Sequence, residues 1–199
     1  MRIYDISQEV FTCDVYDGDP APQRQTLCSI DKGDLYDLTA ISMCAHNGTH
    51  IDAPKHFIKD GVGIDGIPLS KLVGYAAVVE CDGDIDAQGA ADILSRARAY
   101  GEDAARRILI KGKAVITAEA ARVFSSSEVV LLGVESQTVG PEYAPMEVHL
   151  ILLGAEVVLL EGIRLGEVSE GAYILHAAPL LLADCDGAPC RATLTDVNG

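Results

Sequence analysis

From residue 75 onward the chain is a series of short apolar runs separated by stretches of helical composition. That alternation restricts the fold more than any other feature. Residues 75–81 (YAAVVEC) read as a strand buried on both faces. Residues 86–100 have helical composition, and residues 107–111 (RILIK) form a second short strand. Residues 117–124 (TAEAARVF) predict a helix with Thr117 as its N-cap. Residues 129–134 are a strand. Residues 145–153 predict a helix with proline in its first turn and Gly154 just past its end. Residues 156–160 are a further strand. Residues 172–183 are extended and interrupted at Pro179, residues 186–187 are a turn, and residues 191–194 are a final strand. Strands alternating with helices predict an α/β sheet. The first 70 residues, rich in Gly, Pro and Asp, keep no such rhythm. A plain doubly wound sheet is therefore not expected.

The length, 199 residues, suits one domain over residues 1–199 with a real core. Thirty acidic residues against 15 basic ones give a net charge of −15, which repels a phosphate backbone and argues against a nucleic-acid partner. No apolar run approaches the roughly 20 residues that span a bilayer. The first residues (MRIYD) lack the apolar stretch of a signal peptide, so a cytoplasmic location is expected, with no membrane partner. The six cysteines, Cys13, Cys28, Cys44, Cys81, Cys185 and Cys190, contain no C-x-x-C pair. They are expected to be reduced thiols, mostly small buried hydrophobes, and not a structural zinc site.

Residues 61–66 (GVGIDG) match G-x-G-x-x-G literally. A dinucleotide fingerprint must follow a strand and open a helix, whereas here Lys59-Asp60 precede and Ile67-Pro68 follow. The segment is expected to be a glycine-rich loop.

Residues 46–57 (HNGTHIDAPKHF) hold three of the chain's five histidines around an aspartate. Imidazole and carboxylate are ordinary ligands of Zn²⁺, Mn²⁺ and Fe²⁺. Gly48, the β-branched Thr49 and Ile51, and Pro54 argue against a helix. In a strand, His46, His50 and Asp52 share a face. The Cα atoms of His50 and Asp52 would then lie about 6.6 Å apart, within reach of one ion, but those of His46 and His50 about 13 Å apart. A bend at Gly48 is expected to bring His46 in. Pro54 ends the strand, and His56 can return to the same place. Of the two remaining histidines, His149 lies in an apolar helix, while Glu161 closes a very apolar strand where α/β sheets place their sites. Either residue alone has an ordinary structural explanation; with the first cluster they are candidate ligands of a second ion.

The stretch HNGTHIDAPKHF resembles the H-x-G-T-H-x-D-x-P-x-H signature of the cyclase-like metal-dependent hydrolases, the family of bacterial kynurenine formamidase and isatin hydrolase. The resemblance spans almost the whole chain. Residues 16–20 (YDGDP) look like the family's early Trp-Pro-Gly-Asp segment, and residues 57–65 and 67–69 match the family's segment just after the signature. Residues 133–136 (GVES) resemble its Gly-x-Asp-Ser segment, and His149 with Glu161 match its distal ligand pair. Residues 171–173 (GAY) and 186–192 (DGAPCRA) resemble its C-terminal motifs.

The resemblance implies a swivelling β/β/α fold with a mixed sheet, assembled as a homodimer or homotetramer. It implies one metal on His46, His50 and Asp52, and a second on His149 and Glu161 with Asp52 bridging. His56 is implied as the proton donor and acceptor. The expected cofactor is Zn²⁺, one or two ions, with Mn²⁺ the alternative. The expected reaction is hydrolysis of a C–N bond in an amide, formamide or cyclic amide of a small molecule, through a water activated by the metal. Two other readings are a non-catalytic metal-dependent metabolite binder and a lactone or ester hydrolase. Tyr16 stands where the formamidases have a substrate-contacting tryptophan; it could stack on an aromatic substrate or be a packed core residue. Asp17 replaces a proline, Glu135 an aspartate and Gln137 a proline, and the chain has no tryptophan.

Overall fold

The computed structural model describes residues 1–196. In chain order the strands are β1 (Ile3–Asp5), β2 (Gln23–Cys28), β3 (Leu38–Ser42), β4 (His50–Asp52), β5 (Val73–Glu80), β6 (Gly83–Ile85), β7 (Arg107–Lys111), β8 (Ala114–Ile116), β9 (Leu131–Val134), β10 (Val158–Glu161), β11 (Gly171–His176), β12 (Gly187–Pro189) and β13 (Thr193–Asp196). The helices are α1 (Leu69–Leu72), α2 (Ala87–Ala99), α3 (Ala118–Ser125) and α4 (Met146–Gly154).

Nine strands form one mixed sheet in the order β1-β13-β11-β5-β7-β9-β10-β4-β12. Its centre, β5-β7-β9-β10, is parallel, and the flanking pairs are antiparallel. The central strands are apolar at nearly every position because both faces are covered. Ala77, Val79, Ile108, Ile110, Leu132 and Leu159 pack toward α2, α3 and α4. Ala76, Val78, Leu109, Leu131 and Leu160 pack on the opposite face with Ile6, Ile51 and Leu194. Helix ends follow the local chemistry: Asp86 Oδ1 accepts from the Gly89 N–H at 2.8 Å, and Thr117 Oγ1 accepts from the Ala120 N–H at 3.3 Å. The α/β class, the mixed sheet and the irregular N-terminal third match the expectation. The GVGIDG segment is a loop with a 3₁₀ turn at Ile64–Gly66. No helix among the described residues is long and apolar enough to cross a membrane.

Several boundaries differ from the sequence reading. Gly154 is the last residue of α4, not the residue beyond it; Glu156 takes the left-handed position (φ 60°), and the Val157 N–H closes the end on Leu152 O at 3.0 Å. β10 therefore starts at Val158 and not at Glu156. Residues 186–187 are not a turn: Gly187 opens β12, which pairs with β4, and the last strand begins at Thr193. The cysteines are free thiols, as expected, but all six are half-buried and none is fully enclosed.

Candidate metal centre

β4 is a three-residue strand slotted between β10 and β12. Register puts Glu161 opposite His50, and Leu159 and Gly187 on either side of Asp52. His50 and Asp52 thus share a face with Glu161, while Ile51 turns into the core. His46 is not on this strand, contrary to the flat-strand geometry. It sits in the preceding turn, because Gly48 adopts a left-handed conformation (φ 64°) and folds the chain back. A Cβ at Gly48 would stand 2.9 Å from Cys13 Cβ, so the bend has room only for glycine. Thr49 secures this turn: its Oγ1 donates to Gly162 O at 2.7 Å and accepts from the Gln8 N–H at 2.9 Å. The bend expected at Gly48 is present, and it places the His46 and His50 rings 5.1 Å apart.

Two carboxylates and two imidazoles are enclosed here with almost no exposure: Asp52 0%, His50 1%, Glu161 2% and His149 3%. His50 Nε2 lies 3.3 Å from both Asp52 Oδ1 and Glu161 Oε2. His149 Nε2 lies 3.3 Å from Glu161 Oε1 and 3.5 Å from Asp52 Oδ2. His46 Nδ1 lies 2.9 Å from Asp52 Oδ1. The ligand-type atoms of His46, His50 and Asp52 fall within 4.8 Å of one another, as do those of Asp52, His149 and Glu161. Asp52 is common to both sets.

The tautomers fit a cation. His50 Nδ1 is 2.9 Å from Gly48 O and His149 Nδ1 is 2.8 Å from Pro145 O. A carbonyl only accepts, so each Nδ1 carries its proton and each neutral ring turns a lone pair on Nε2 toward the carboxylates. Asp52 Oδ2 is buried and has no hydrogen-bond partner. A buried carboxylate oxygen left unpaired is costly, and a divalent ion between it, His149 and Glu161 would remove that cost. Without an ion, protons do the balancing. Burial lowers the His50 and His149 values, but hydrogen bonds to Asp52 and Glu161 outweigh it and push both to about 10. Burial works to raise Asp52, yet the facing imidazoles of His149, His46 and His50 hold it well below the usual carboxylate range.

His56 lies beside this cluster. Its ring stacks on His46 with centroids 4.0 Å apart, and its Nδ1 faces Asp186 Oδ2 at 3.5 Å. Burial holds its imidazole below the ordinary value. A cavity of about 350 Å³ opens over the cluster, with Tyr16, Phe57, Gln137 and Thr138 in its wall. Tyr16 Oη donates to Glu142 O at 2.8 Å, which places Tyr16 at the cavity and not in the core. A larger groove of about 860 Å³, near Phe11, Ile41 and Leu180, gathers no imidazoles.

Residues 4–141 match the family model described as Putative cyclase. The chain belongs to that family. It is 30% identical over 208 residues to a kynurenine formamidase of Erythrobacter litoralis (strain HTCC2594), covering 98% of this chain and 94% of the relative. A solved structure described as a potential metal-dependent hydrolase with cyclase activity superposes with a TM-score of 0.81 at 27% identity, covering 97% of this chain and 96% of that one. Isatin hydrolase A from Labrenzia aggregata, bound to benzyl benzoate, shares the fold with a TM-score of 0.79 at 22% identity, over 97% of this chain and 93% of that one.

Within this cyclase-family chain, all six residues singled out as ligands or proton carrier converge. Sequence reasoning passes over Asp186, whose Oδ2 lies 3.1 Å from His46 Nε2. The available signal is the DGAPCRA segment, which stands out as a motif without showing a chemical part for its aspartate. Sequence reasoning also passes over Phe57, stacked on His149 with centroids 4.5 Å apart. The departures divide into two kinds. Glu135 is occupied with backbone, accepting from the Gly112 N–H at 2.7 Å and the Leu165 N–H at 2.8 Å. Gln137 faces the cavity wall, and neither polar atom of its amide has a partner.

Proposed function

We propose that this protein hydrolyses the C–N bond of a small formamide or cyclic amide, using zinc held by His46, His50, Asp52, His149 and Glu161. The chain is a metal-dependent amidohydrolase, and the proposal concerns its substrate, its metal and the part each residue plays. The observation that carries it is Asp52: one carboxylate oxygen faces His46 and His50, and the other, buried and unpaired, faces His149. A carboxylate so placed could be shared by two cations, one on each oxygen. The kynurenine formamidase relative supports an amide as substrate.

Divalent ions held there would supply Lewis acidity, bringing the pKa of a coordinated water down to about 7 and polarising a carbonyl. His50 and His149 present Nε2 because backbone carbonyls hold their Nδ1 protons. Asp52 and Glu161 would offset the charge of the ions. His56 is neutral at pH 7 and is not needed as a ligand. It takes the proton of the attacking water on Nε2 and delivers it to the leaving nitrogen. Tyr16 and Phe57 give the cavity two aromatic surfaces, which suits a planar or aromatic substrate.

The deciding experiment is a screen of formamides, lactams and lactones against protein stripped and reloaded with Zn²⁺ or Mn²⁺. Turnover of amides with zinc supports the reading. Turnover of lactones alone, or tight binding of amides without turnover, would replace it.

The protein is further proposed to be a cytoplasmic homodimer or homotetramer. Six free thiols suit a reducing compartment. The β2–β3 ribbon carries exposed Leu27, Leu38 and Ile41, with Ile30, Leu35 and Tyr36 exposed in its connection. Apolar patches of this kind mark association surfaces. Light scattering in solution tests the assembly; a monomer at micromolar concentration would overturn it.

A further inference from the structure

We infer that Asp186 is a positioning residue that fixes His46 as an Nδ1 ligand and steadies His56 beside it; the inference rests on the metal centre proposed above. The three imidazoles of the two ligand sets are oriented differently. His50 and His149 each tie Nδ1 to a backbone carbonyl, Gly48 O at 2.9 Å and Pro145 O at 2.8 Å. Those carbonyls dictate the tautomer. His46 has no such carbonyl among its hydrogen bonds in the described residues. Its Nδ1 faces Asp52 Oδ1 at 2.9 Å and its Nε2 faces Asp186 Oδ2 at 3.1 Å. Both neighbours are carboxylates, so either nitrogen could carry the proton. Nδ1 can offer its lone pair to an ion only if the proton sits on Nε2. A carboxylate accepting that Nε2–H fixes this tautomer and raises the basicity of Nδ1. Asp186 does for His46 what backbone does for the other two.

Asp186 is itself held by backbone. Its carbonyl accepts from the Ala53 N–H at 2.9 Å, directly before Gly187 pairs with Asp52 in the β12–β4 register. Gly187 completes the arrangement. A Cβ there would stand 2.6 Å from His46 Cε1 and 2.7 Å from Ile51 O, so the imidazole packs against the strand only because glycine follows Asp186. The same Asp186 Oδ2 lies 3.5 Å from His56 Nδ1, and the His46 and His56 rings stack 4.0 Å apart at an interplanar angle of 26°. One oxygen therefore serves both the ring that binds and the ring that moves the proton. His46, His56 and Asp186 also lie close enough to hold an ion by themselves, and that arrangement would demand the opposite His46 tautomer, with Nε2 as ligand.

Two measurements on the zinc-loaded full chain separate these cases. Long-range ¹H–¹⁵N spectra of histidine-labelled protein are expected to show His46 coordinated through Nδ1 with a protonated Nε2, and His50 and His149 the reverse. Competition with a chromophoric chelator is expected to show zinc held about 10- to 100-fold more weakly in Asp186→Ala. Asp186→Asn, which keeps an acceptor oxygen and the side-chain shape, is expected to lose less. Asp184→Asn, at a neighbouring exposed carboxylate, is expected to stay within about twofold. Nε2 ligation of His46, or zinc affinity in Asp186→Ala within about twofold of the parent, overturns the inference while leaving the metal centre standing. A parent protein that takes up no zinc overturns both.

Discussion

His50 and Glu161 face one another across the antiparallel β4–β10 pair, with the imidazole Nε2 3.3 Å from the carboxylate Oε2. A histidine from the irregular first third thereby meets the end of a very apolar central strand. Neither could be buried so deeply without the other. The pairing also makes β4 the element on which the two ligand sets depend.

Asp52 is the test of that dependence. Asp52→Ala is expected to empty both metal positions, whereas His149→Ala is expected to empty only the one it shares with Glu161. Elemental analysis after gel filtration reads the stoichiometry. Full occupancy in Asp52→Ala would end the bridging assignment.

His56→Ala is expected to lower turnover by about 10²- to 10⁴-fold, the usual size of a general acid–base contribution, while most metal is retained. Burial holds His56 below 6.5, so it accepts protons at neutral pH and becomes protonated only on the acid side. The acid limb of the rate profile is expected to have its midpoint below pH 6.5. A wild-type rate in the variant would remove His56 from the mechanism.

Stability of the metal-free protein should depend on pH in a definite direction. Burial lowers His50 and His149, but their bonds to Asp52 and Glu161 prevail and set both near 10, above the ordinary 6.5. Groups raised in the folded state stabilise it fully below about pH 6.5 and lose that contribution as pH climbs toward 10. The melting temperature of chelator-treated protein is therefore expected to fall between pH 7 and 10. The zinc-loaded protein should hold steadier, because the ion replaces those protons and releases them on binding. Calorimetry in buffers of different ionisation enthalpy measures the release, and the absence of any proton release would contradict this account.

Gly48→Ala is expected to destabilise the fold by at least about 1–2 kcal/mol, the cost of a left-handed conformation for a residue with a Cβ. Contact with Cys13 adds to that cost. Chemical denaturation of the metal-free variant checks it. An unchanged midpoint would mean that the turn has another conformation open to it.

The legible part of this protein is the part written in local pattern. The central strands announce themselves because both faces are apolar, and Thr117 announces its helix because capping is a matter of three residues. The ligands within residues 46–56 are legible because their chemistry is rare and dense. Geometry that depends on distant pairing is less so. Spacing alone puts His46 on a strand face; the glycine at 48 signals a bend, and its left-handed φ shows that His46 belongs to a turn. β12 reads as a turn because Asp-Gly has that local preference, and its partner β4 is far away in sequence. Asp186 is inconspicuous for the same reason: an acidic residue beside glycine, in a chain with 30 acidic residues, carries no mark of the imidazole it will meet.

The insertion of β4 between β10 and β12 has a consequence for synthesis. The histidine-rich segment leaves the ribosome before both partners of its strand, which has no edge to join until Glu161 has emerged and no second edge until Gly187 arrives. A nascent or clipped chain carries the early histidines without the pocket that would hold an ion. Metal capture thus waits for β12 to pair with β4, and a fragment ending before β12 should hold metal only loosely.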